Sequence, residues 1–321
     1  MSGEATSQKF MPSLPLPWQQ DLWISFVQRL DRQNLPHAFL LNGPEGIGID
    51  RFARAFVERL FCLTPDNNYA CGTCKGCQLL KAETHSDLSV VAPDEPGKMI
   101  KVDDIRALCA SLEKTAQQGG WKVAVIAPAE AMNKAAYNAL LKNLEEPQPN
   151  TLIILLTHRA GLIPATIRSR CQIENMPIPS TEVALSWLNA VAGEDPKHSK
   201  VLDLAQGLPL LALKYLQGEG MQERQQMEAL LGAVRHGETT PIEGAQLCYK
   251  YDTDSALGWS LSYLHRLATG ELQNQPNVAL FAFQDKLNKA RSWVLNGSTI
   301  NTQLLWEELL IEWSQVFRQH K

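Results

Sequence analysis

Residues 37–48, HAFLLNGPEGIG, decide the fold of this chain. The segment 37–41 is a short apolar run, which predicts a buried β-strand. It leads directly into a turn with three glycines, and apolar residues return at helical spacing over 51–63. A strand, a glycine-rich turn and a helix in this order open a nucleotide-binding α/β unit. We therefore predict an α/β fold built on a parallel sheet.

Strands and helices continue to alternate through the first 176 residues. The apolar runs at 122–127 and 152–157 predict strands that are buried on both faces. The other predicted elements of this region are strands at 88–91 and 172–174 and helices at 102–115, 131–146 and 162–167. This alternation implies a parallel sheet that is covered by helices on both sides.

The pattern changes at residues 176–180, MPIPS, after which the sequence shows only helical periodicity. The glycines at 218 and 220 separate a small helical region from a larger one. We predict three domains: an α/β domain at 1–176 with a cysteine module at 62–87, a small helical lid at 177–219, and an all-helical domain at 220–321.

The glycine-rich turn has the spacing of a phosphate-binding loop, G-x-x-x-x-G-K-[ST], without its chemistry. In that template, backbone N–H groups and the lysine hold phosphate, and the hydroxyl holds magnesium. Here Ile49 and Asp50 occupy the lysine and hydroxyl positions. Ile49 supplies no charge, and a carboxylate about 4 Å from a phosphate repels it by about 4 kcal/mol. On these residues alone, Gly43, Gly46 and Gly48 make a tight turn, nucleotide binding is weak or absent, and no ATP hydrolysis is expected.

The predicted strand at 122–127 also lacks the acidic pair that would handle magnesium and water. Ala127 and Pro128 stand where that pair would follow the strand. Glu130 comes slightly later, and we interpret it as a residue at the start of a helix, where a negative charge is favourable. This segment therefore agrees with the loss of ATP chemistry at the glycine loop.

Four of the seven cysteines fall within sixteen residues, in the spacing C-x8-C-x2-C-x2-C. Such clustering favours a metal over a disulfide framework. Cys71, Cys74 and Cys77 form two overlapping C-x-x-C units, which direct three thiolates to one point. A closed tetrahedron needs a fourth ligand, for which Cys62 is the preferred candidate and His85 the alternative. We predict one structural zinc, because a redox dithiol would need only one C-x-x-C.

Composition limits the partners. Hydrophobic residues make up 45% of the chain, the formal net charge is −4 and the pI is about 6.0. A protein that binds DNA mainly by itself shows a basic excess, so we expect any nucleic-acid contact to be local or shared with partner chains. Residues 1–17 lack the basic start and apolar core of a secretory signal, and no apolar run is long enough to span a bilayer. We expect a cytoplasmic protein with no membrane partner.

Two further motifs carry a resemblance to a known family. Residues 138–147, NALLKNLEEP, nearly match the N-A-L-L-K-x-L-E-E-P signature of clamp loaders, and residues 169–171 are their S-R-C motif. The cysteine module after the glycine loop is another bacterial clamp-loader feature. Over about residues 18–216 the chain resembles the delta-prime family of the bacterial DNA polymerase III clamp loader, within the AAA+ superfamily. The likeness fades in the C-terminal third.

The departures from the ATPase pattern indicate which type of subunit the chain resembles. Motor subunits of the gamma/tau type keep the lysine and threonine of the loop and the acidic pair on the next strand. The delta-prime family is degenerate at those positions, as this chain is. In the predicted lid, Leu210 stands where a phosphate-sensing arginine would lie.

The resemblance implies a AAA+ RecA-like sheet domain with an inserted zinc module, a helical lid and a helical C-terminal oligomerisation domain. It implies a hetero-oligomer with gamma/tau and delta subunits that loads the sliding clamp onto primer–template DNA. In the family, the S-R-C arginine, here Arg170, is a finger that reaches into the ATP site of a neighbouring gamma-type subunit. Residue chemistry alone favours a surface or ion-paired arginine, with Glu174 as a partner. No catalysis by this chain is expected, although it would belong to a polymerase holoenzyme.

Two other function classes stay open at this point. An independent AAA+ ATPase is opposed by Ile49 and Asp50. A zinc-ribbon nucleic-acid-binding protein is opposed by the acidic balance, although Lys75 and Lys81 offer a small basic patch. ATP turnover by the pure chain tests the first alternative, and its salt-dependent DNA affinity tests the second.

Overall fold

The chain contains two compact units, Met1–Ala212 and Leu213–Lys321. The structure is a computed structural model. It describes residues 12–95, 97–118, 120–218, 220–270, 278–295 and 300–317. Most of the predicted polar leader, residues 1–11, lies outside the described residues. The boundary between the units falls within the helix Pro209–Leu216. A division into two units does not test the three predicted domains, so the limits at 177 and 220 stay predictions.

A parallel five-stranded sheet forms the centre of the first unit. Its strands are β1 (Ala38–Asn42), β2 (Leu88–Val91), β3 (Lys122–Ile126), β4 (Thr151–Thr157) and β5 (Gln172–Asn175). They lie in the order β2-β3-β4-β1-β5, and every neighbouring pair is parallel. The predicted α/β architecture with a parallel sheet is confirmed.

Helices cover both faces of the sheet. The helices of the first unit are α1 (Gln20–Asp31), α2 (Ile49–Phe61), α3 (Lys75–Lys81), α4 (Val102–Leu112), α5 (Lys134–Glu145), α6 (Ala165–Arg168), α7 (Thr181–Ala192), α8 (Lys197–Leu204) and α9 (Pro209–Leu216), the last of which crosses into the second unit. Short 3-10 helices occur at Pro17–Gln19, Ala129–Ala131 and Ala160–Leu162.

The central strands are apolar at successive positions because both faces of the sheet are buried. In β1, Phe39 and Leu41 face a core formed with α1 and α2. Ala38 and Leu40 point the other way, into a core formed with α4, α5 and α6. Alternate residues of β3 and β4 divide between the same two cores. Each central strand therefore needs apolar side chains at every position.

The helix predicted at 162–167 is wrong in its position. A 3-10 turn at Ala160–Leu162 comes first, and the α-helix covers only Ala165–Arg168. Pro164 explains the shift, because a proline disfavours helical backbone in the residue before it. Ile163 accordingly has an extended backbone, with ψ of 126°.

The helix predicted at 131–146 begins three residues late, at Lys134. Asn133 is its N-cap, and the side-chain oxygen of Asn133 accepts a hydrogen bond from the backbone N–H of Ala136 at 2.8 Å. An asparagine cap satisfies an N–H group that the helix itself leaves unpaired. The preceding residues form the 3-10 helix Ala129–Ala131.

All described secondary structure of the second unit is helical. Its helices after α9 are α10 (Met221–His236), α11 (Pro241–Cys248), α12 (Thr253–Thr269), α13 (Val278–Leu295) and α14 (Thr302–Val316). They enclose a core that includes Trp306 and Trp313, and the Trp313 indole N–H donates to the Leu231 carbonyl at 2.8 Å. Within the described ranges, no helix is long and apolar enough to cross a membrane.

We expect Phe39→Ala to destabilise the first unit by about 3–5 kcal/mol, the usual cost of emptying a buried phenylalanine site. Phe39 is fully buried, and its ring lies 4.4 Å from the ring of Phe26. Urea unfolding followed by circular dichroism measures the loss. The control is Ile173→Ala on β5, where the side chain is 44% exposed. Equal stabilities of the two variants would contradict this description of the core.

Candidate functional sites

The four clustered cysteines meet at one point. Their Sγ atoms all lie within 4.8 Å of one another. The Sγ of Cys74 is 3.9 Å from that of Cys62 and 3.5 Å from that of Cys77. Tetrahedral zinc with Zn–S bonds of about 2.3 Å needs sulfur–sulfur separations of about 3.8 Å. Together with Cys71, these residues therefore form a four-cysteine cluster that fits a structural zinc ion.

Two helix ends bring the cysteines together. Cys62 directly follows α2, Cys74 caps the N-terminus of α3, and Cys77 lies in the first turn of α3. The helices approach so closely that a Cβ at Gly76 would collide with the carbonyl oxygen of Phe61. A glycine at this position of the C-x-x-C unit is therefore a requirement of the packing.

Hydrogen bonds to sulfur surround the cluster. The backbone N–H of Cys71 donates to the Sγ of Cys62 at 3.2 Å, and that of Leu63 donates to Cys74 at 3.4 Å. Cys71 accepts from the backbone N–H of Cys74 at 3.4 Å and from the Thr64 hydroxyl at 3.3 Å. The Thr64 hydroxyl is the main reason that the pKa of Cys71 is lowered to about 5. These donors favour the thiolate form that binds zinc, whereas burial raises the pKa of Cys62 and of Cys77.

His85, the alternative fourth ligand, has other contacts. Its ring centre lies 4.0 Å from that of Phe61, and its Nδ1 is 3.3 Å from the backbone nitrogen of Asp87, which donates to it. Burial lowers the pKa of His85 and so keeps the ring neutral. Among the described residues, the candidate metal group consists of the four cysteines without His85.

The chain's own leucines occupy the surroundings of the glycine loop. Gly46 and Gly48 have φ of 86° and 89°, a backbone that strongly favours glycine. A Cβ at Gly48 would lie 2.5 Å from the Cδ1 of Leu16 and 3.2 Å from the Cδ1 of Leu210. A Cβ at Gly46 would lie 2.9 Å from the Cβ of Leu211. The segment before α1 and the start of α9 thus both contact the loop.

Polar groups fix the same segments to the carbonyl groups of the loop. The Trp18 indole N–H donates to the carbonyl of Ile47 at 3.1 Å. The Gln19 amide donates to the carbonyls of Ile47 and Gly48 at 3.2 and 3.0 Å. Trp18 also makes an edge-to-face contact with Trp187 of α7, with ring centres 5.5 Å apart. α7 therefore contacts the N-terminal segment that is hydrogen-bonded to the loop.

The two positions that depart from the phosphate-loop template differ in burial. Ile49 is 1% exposed and belongs to the core between α1, α2 and the sheet. Asp50 is exposed in the first turn of α2, where the helix dipole favours its negative charge. The loop thus has a buried apolar side chain in place of the lysine and an exposed carboxylate in place of the hydroxyl.

Side chains that follow β3 and β4 are hydrogen-bonded to backbone groups nearby. Ala127 and Pro128 follow β3, and Glu130 lies in the 3-10 helix behind them. The Oε1 of Glu130 accepts from the backbone N–H of His158 at 3.0 Å. The Nδ1 of His158 lies 3.0 Å from the carbonyl oxygen of Gly43. Glu130 and His158 therefore tie the strand ends to the glycine loop.

Arg170 lies just after α6, and its side chain is 36% exposed. Its Nη2 is 2.7 Å from the Oε1 of Glu145, at the end of α5. The pairing of Arg170 with Glu174 that we considered from the sequence is wrong. Glu174 accepts instead from Arg29 of α1 at 2.8 Å, because the side chain of Glu174 on β5 faces that helix.

Comparison with known proteins assigns the family. The family model described as DNA polymerase III, delta subunit, matches residues 18–179. DNA polymerase III subunit delta' of Pseudomonas aeruginosa is 36% identical, over 94% of this chain and 97% of that protein. The chain belongs to the delta' family. The Haemophilus influenzae subunit delta' is 33% identical, over 90% of this chain and 94% of that protein. The family that the motifs resemble is confirmed.

A solved structure shares the fold. A gamma subunit-related protein of DNA polymerase III from Thermotoga maritima aligns with a TM-score of 0.50 and 16% identity. The alignment covers 92% of this chain and 99% of that protein. At this level of identity the likeness shows the fold alone, in agreement with the predicted α/β fold.

Sequence reasoning missed several residues at these sites. Leu16 and Gln19 precede the first strand, and their sequence gives no sign that they contact the glycine loop. Glu145 stands inside the NALLKNLEEP motif, but only the fold brings it to Arg170. Thr64 lies between the first and second cysteines, so its position in the cysteine module was an available signal.

We expect Cys74→Ser to abolish zinc binding, because three thiolates do not close the tetrahedron. The purified wild-type chain should carry one zinc per molecule, measured by elemental analysis. The variant should also lose protection from hydrogen exchange over residues 62–87, while the second unit stays folded.

Cys109→Ser is the matched control, because Cys109 lies outside the cluster, and it should keep its zinc. Full zinc content after Cys62→Ala, together with loss of zinc after His85→Ala, would contradict the four-cysteine assignment.

Proposed function

We propose that this chain is a non-hydrolysing delta-prime subunit of the replicative clamp loader, which supplies Arg170 in trans to a neighbour's ATP site. One contrast carries the proposal. The glycine loop is packed against the chain's own leucines, whereas the Arg170 side chain is 36% exposed. A subunit without a phosphate site has no use of its own for an arginine finger. Its finger therefore serves another subunit.

The loop lacks the charge to hold ATP, and leucine side chains pack against it. Leu16 and Leu210 approach Gly48, and Ile49 is buried where a lysine would have to reach a phosphate. Moving these side chains into water would cost about 25 cal/mol for each Å² of apolar surface exposed. Hydrolysis would also need magnesium ligands, which Ala127 does not offer. Nucleotide binding is therefore weak or absent, and this chain performs no catalysis alone.

Arg170 has the chemistry that a finger needs. A guanidinium is always charged, and its planar fork of N–H donors matches the oxygens of a transferring phosphoryl group. Delivered across a subunit boundary, it stabilises the charge that develops on that group. The residue follows a short helix and its side chain is 36% exposed, so part of its guanidinium can face a neighbouring subunit.

Assembly with gamma/tau and delta subunits is assigned to the C-terminal helices, residues 220–321. Several large apolar side chains are exposed there, including Ile242, Tyr249, Phe281 and Leu304. Exposed apolar groups of this size are typical of interaction surfaces. The complex would load the sliding clamp onto primer–template DNA, and the cytoplasm is then the compartment of this chain. Residues 1–176 would form the AAA+ domain, and residues 177–219 the lid.

The zinc ion is assigned a structural role. Four thiolates fill a tetrahedral zinc, which leaves no open position for water or substrate. Cys62, Cys71, Cys74 and Cys77 would hold the ion and so connect the end of α2 to the start of α3. When bound, zinc supplies cross-linking rather than reactivity.

We expect the purified chain to show no magnesium-dependent ATP turnover and little or no ATP affinity. The double variant Ile49→Lys, Asp50→Thr restores the phosphate-loop template. It should still not hydrolyse ATP, because Ala127 and Pro128 provide no magnesium ligands. Phosphate release and calorimetric titration with ATP measure the two properties. Turnover by the pure wild-type chain would favour the independent ATPase instead.

We expect Arg170→Ala to lower DNA- and clamp-stimulated ATPase activity of a complex reconstituted with gamma/tau and delta subunits. A finger in trans is worth on the order of 10³–10⁵ in rate at its own site. The loss for the whole complex should be smaller, because only one ATP site borders this subunit. Arg170→Lys should rescue poorly, since a point charge does not reproduce the planar fork.

Arg168→Ala is the matched control, because Arg168 is an exposed arginine at the end of the same helix. Co-purification and zinc content should be unchanged in all three variants. If Arg170→Ala complexes hydrolyse ATP at the wild-type rate, the arginine is structural and the proposed finger is wrong.

A further inference from the structure

We infer that Glu145 is a positioning residue for Arg170, which holds the guanidinium in the direction from which it reaches the neighbour's phosphate. This inference rests on the proposed function of Arg170 and extends it to a second residue. Glu145 belongs to the NALLKNLEEP motif and Arg170 to the S-R-C motif. The ion pair between them is a direct physical link between the two motifs.

Three contacts fix the guanidinium. Its Nη1 donates to the Thr166 carbonyl at 2.8 Å and to the Ser169 hydroxyl at 3.2 Å. Its Nη2 is paired with the Oε1 of Glu145 at 2.7 Å. An arginine has five N–H donors in a planar fork, so these contacts leave two donors for a phosphate oxygen. The contacts hold the side chain while keeping part of its fork available.

The partners of Arg170 stand on elements that are themselves fixed. Leu144, next to Glu145, is buried in the core on the α5 side of the sheet, and Ile167 of α6 is buried in the same core. Cys171, next to Arg170, packs against this core, and burial raises its pKa to about 12. Anchors on both sides set the separation between Glu145 and Arg170. A site held in this way is pre-organised, which is what a group acting on a transition state needs.

The position of Glu145 is unfavourable for the helix that carries it. It is the last residue of α5, where the negative end of the helix dipole opposes a carboxylate. The pair with Arg170 is also exposed, at 36% and 49% of the two side chains, and exposed pairs stabilise proteins little. The Glu145 carboxylate is thus unfavourable for its own helix and stabilises the fold little, which points to a role in function.

Glu145→Gln and Glu145→Ala in the reconstituted complex test this inference, with Glu146→Gln as the matched control. Glu146 is the adjacent exposed acid. Both Glu145 variants should lower the stimulated kcat several-fold while the KM for ATP stays unchanged, since the guanidinium becomes mobile but the neighbour's site is intact. The control should behave as wild type. Adding Glu145→Ala to Arg170→Ala should cause no further loss, because Glu145 acts only through Arg170.

NMR signals of the Arg170 guanidinium in the isolated chain give a readout that does not depend on ATP. The Nε–H and Nη–H₂ signals should show restricted motion in the wild type and clearly greater motion after Glu145→Ala, although the contacts with Thr166 and Ser169 remain. If Arg170→Ala has no effect on ATPase activity, the proposed function itself fails. If Arg170→Ala lowers the rate but the Glu145 variants do not, or if the guanidinium stays ordered in Glu145→Ala, only this inference is overturned.

Discussion

The packing of leucine side chains against the glycine loop is the interaction on which the rest of this structure depends. Leu16 from the N-terminal segment and Leu210 from α9 meet at Gly48, and Leu211 lies against Gly46. One segment precedes the strands of the sheet in sequence and the other follows them. The contact therefore packs the N-terminal segment, the loop and the start of α9 together. These contacts surround the loop with apolar side chains from the chain itself.

The proposed function separates two roles, binding ATP and supplying an arginine to a neighbour's ATP. The parallel sheet and its helices keep the frame that positions an arginine at the surface, after α6. The loop on the same frame has lost its lysine to Ile49, whose burial adds to the core. Under the proposed function, the frame does not need to open for a nucleotide of its own. A rigid subunit that presents Arg170 through contacts with Glu145 and Thr166 suits a role in organising a neighbour's chemistry.

Local patterns predicted much of the fold and part of the candidate sites. Apolar runs in the sequence predicted the buried strands. The cysteine spacing predicted the four residues that cluster. Boundaries failed where one residue overrode periodicity, as Pro164 did by moving α6. The partner of Arg170 was predicted wrongly as Glu174, because only the fold brings Glu145 at the end of α5 close to Arg170. The contact of Leu16 with the loop could not be predicted from local sequence patterns either, because it joins segments that are far apart in the chain.

The most direct test of this account is single-turnover ATP hydrolysis at the one site that borders this subunit. A complex can be assembled in which the other gamma/tau sites carry a substituted phosphate-loop lysine, so that only the bordering site reacts. With the wild-type chain, the site should hydrolyse ATP when clamp and DNA are present. With Arg170→Ala the rate at this site should fall by orders of magnitude. An unchanged rate, or nucleotide turnover within this chain itself, would contradict the account.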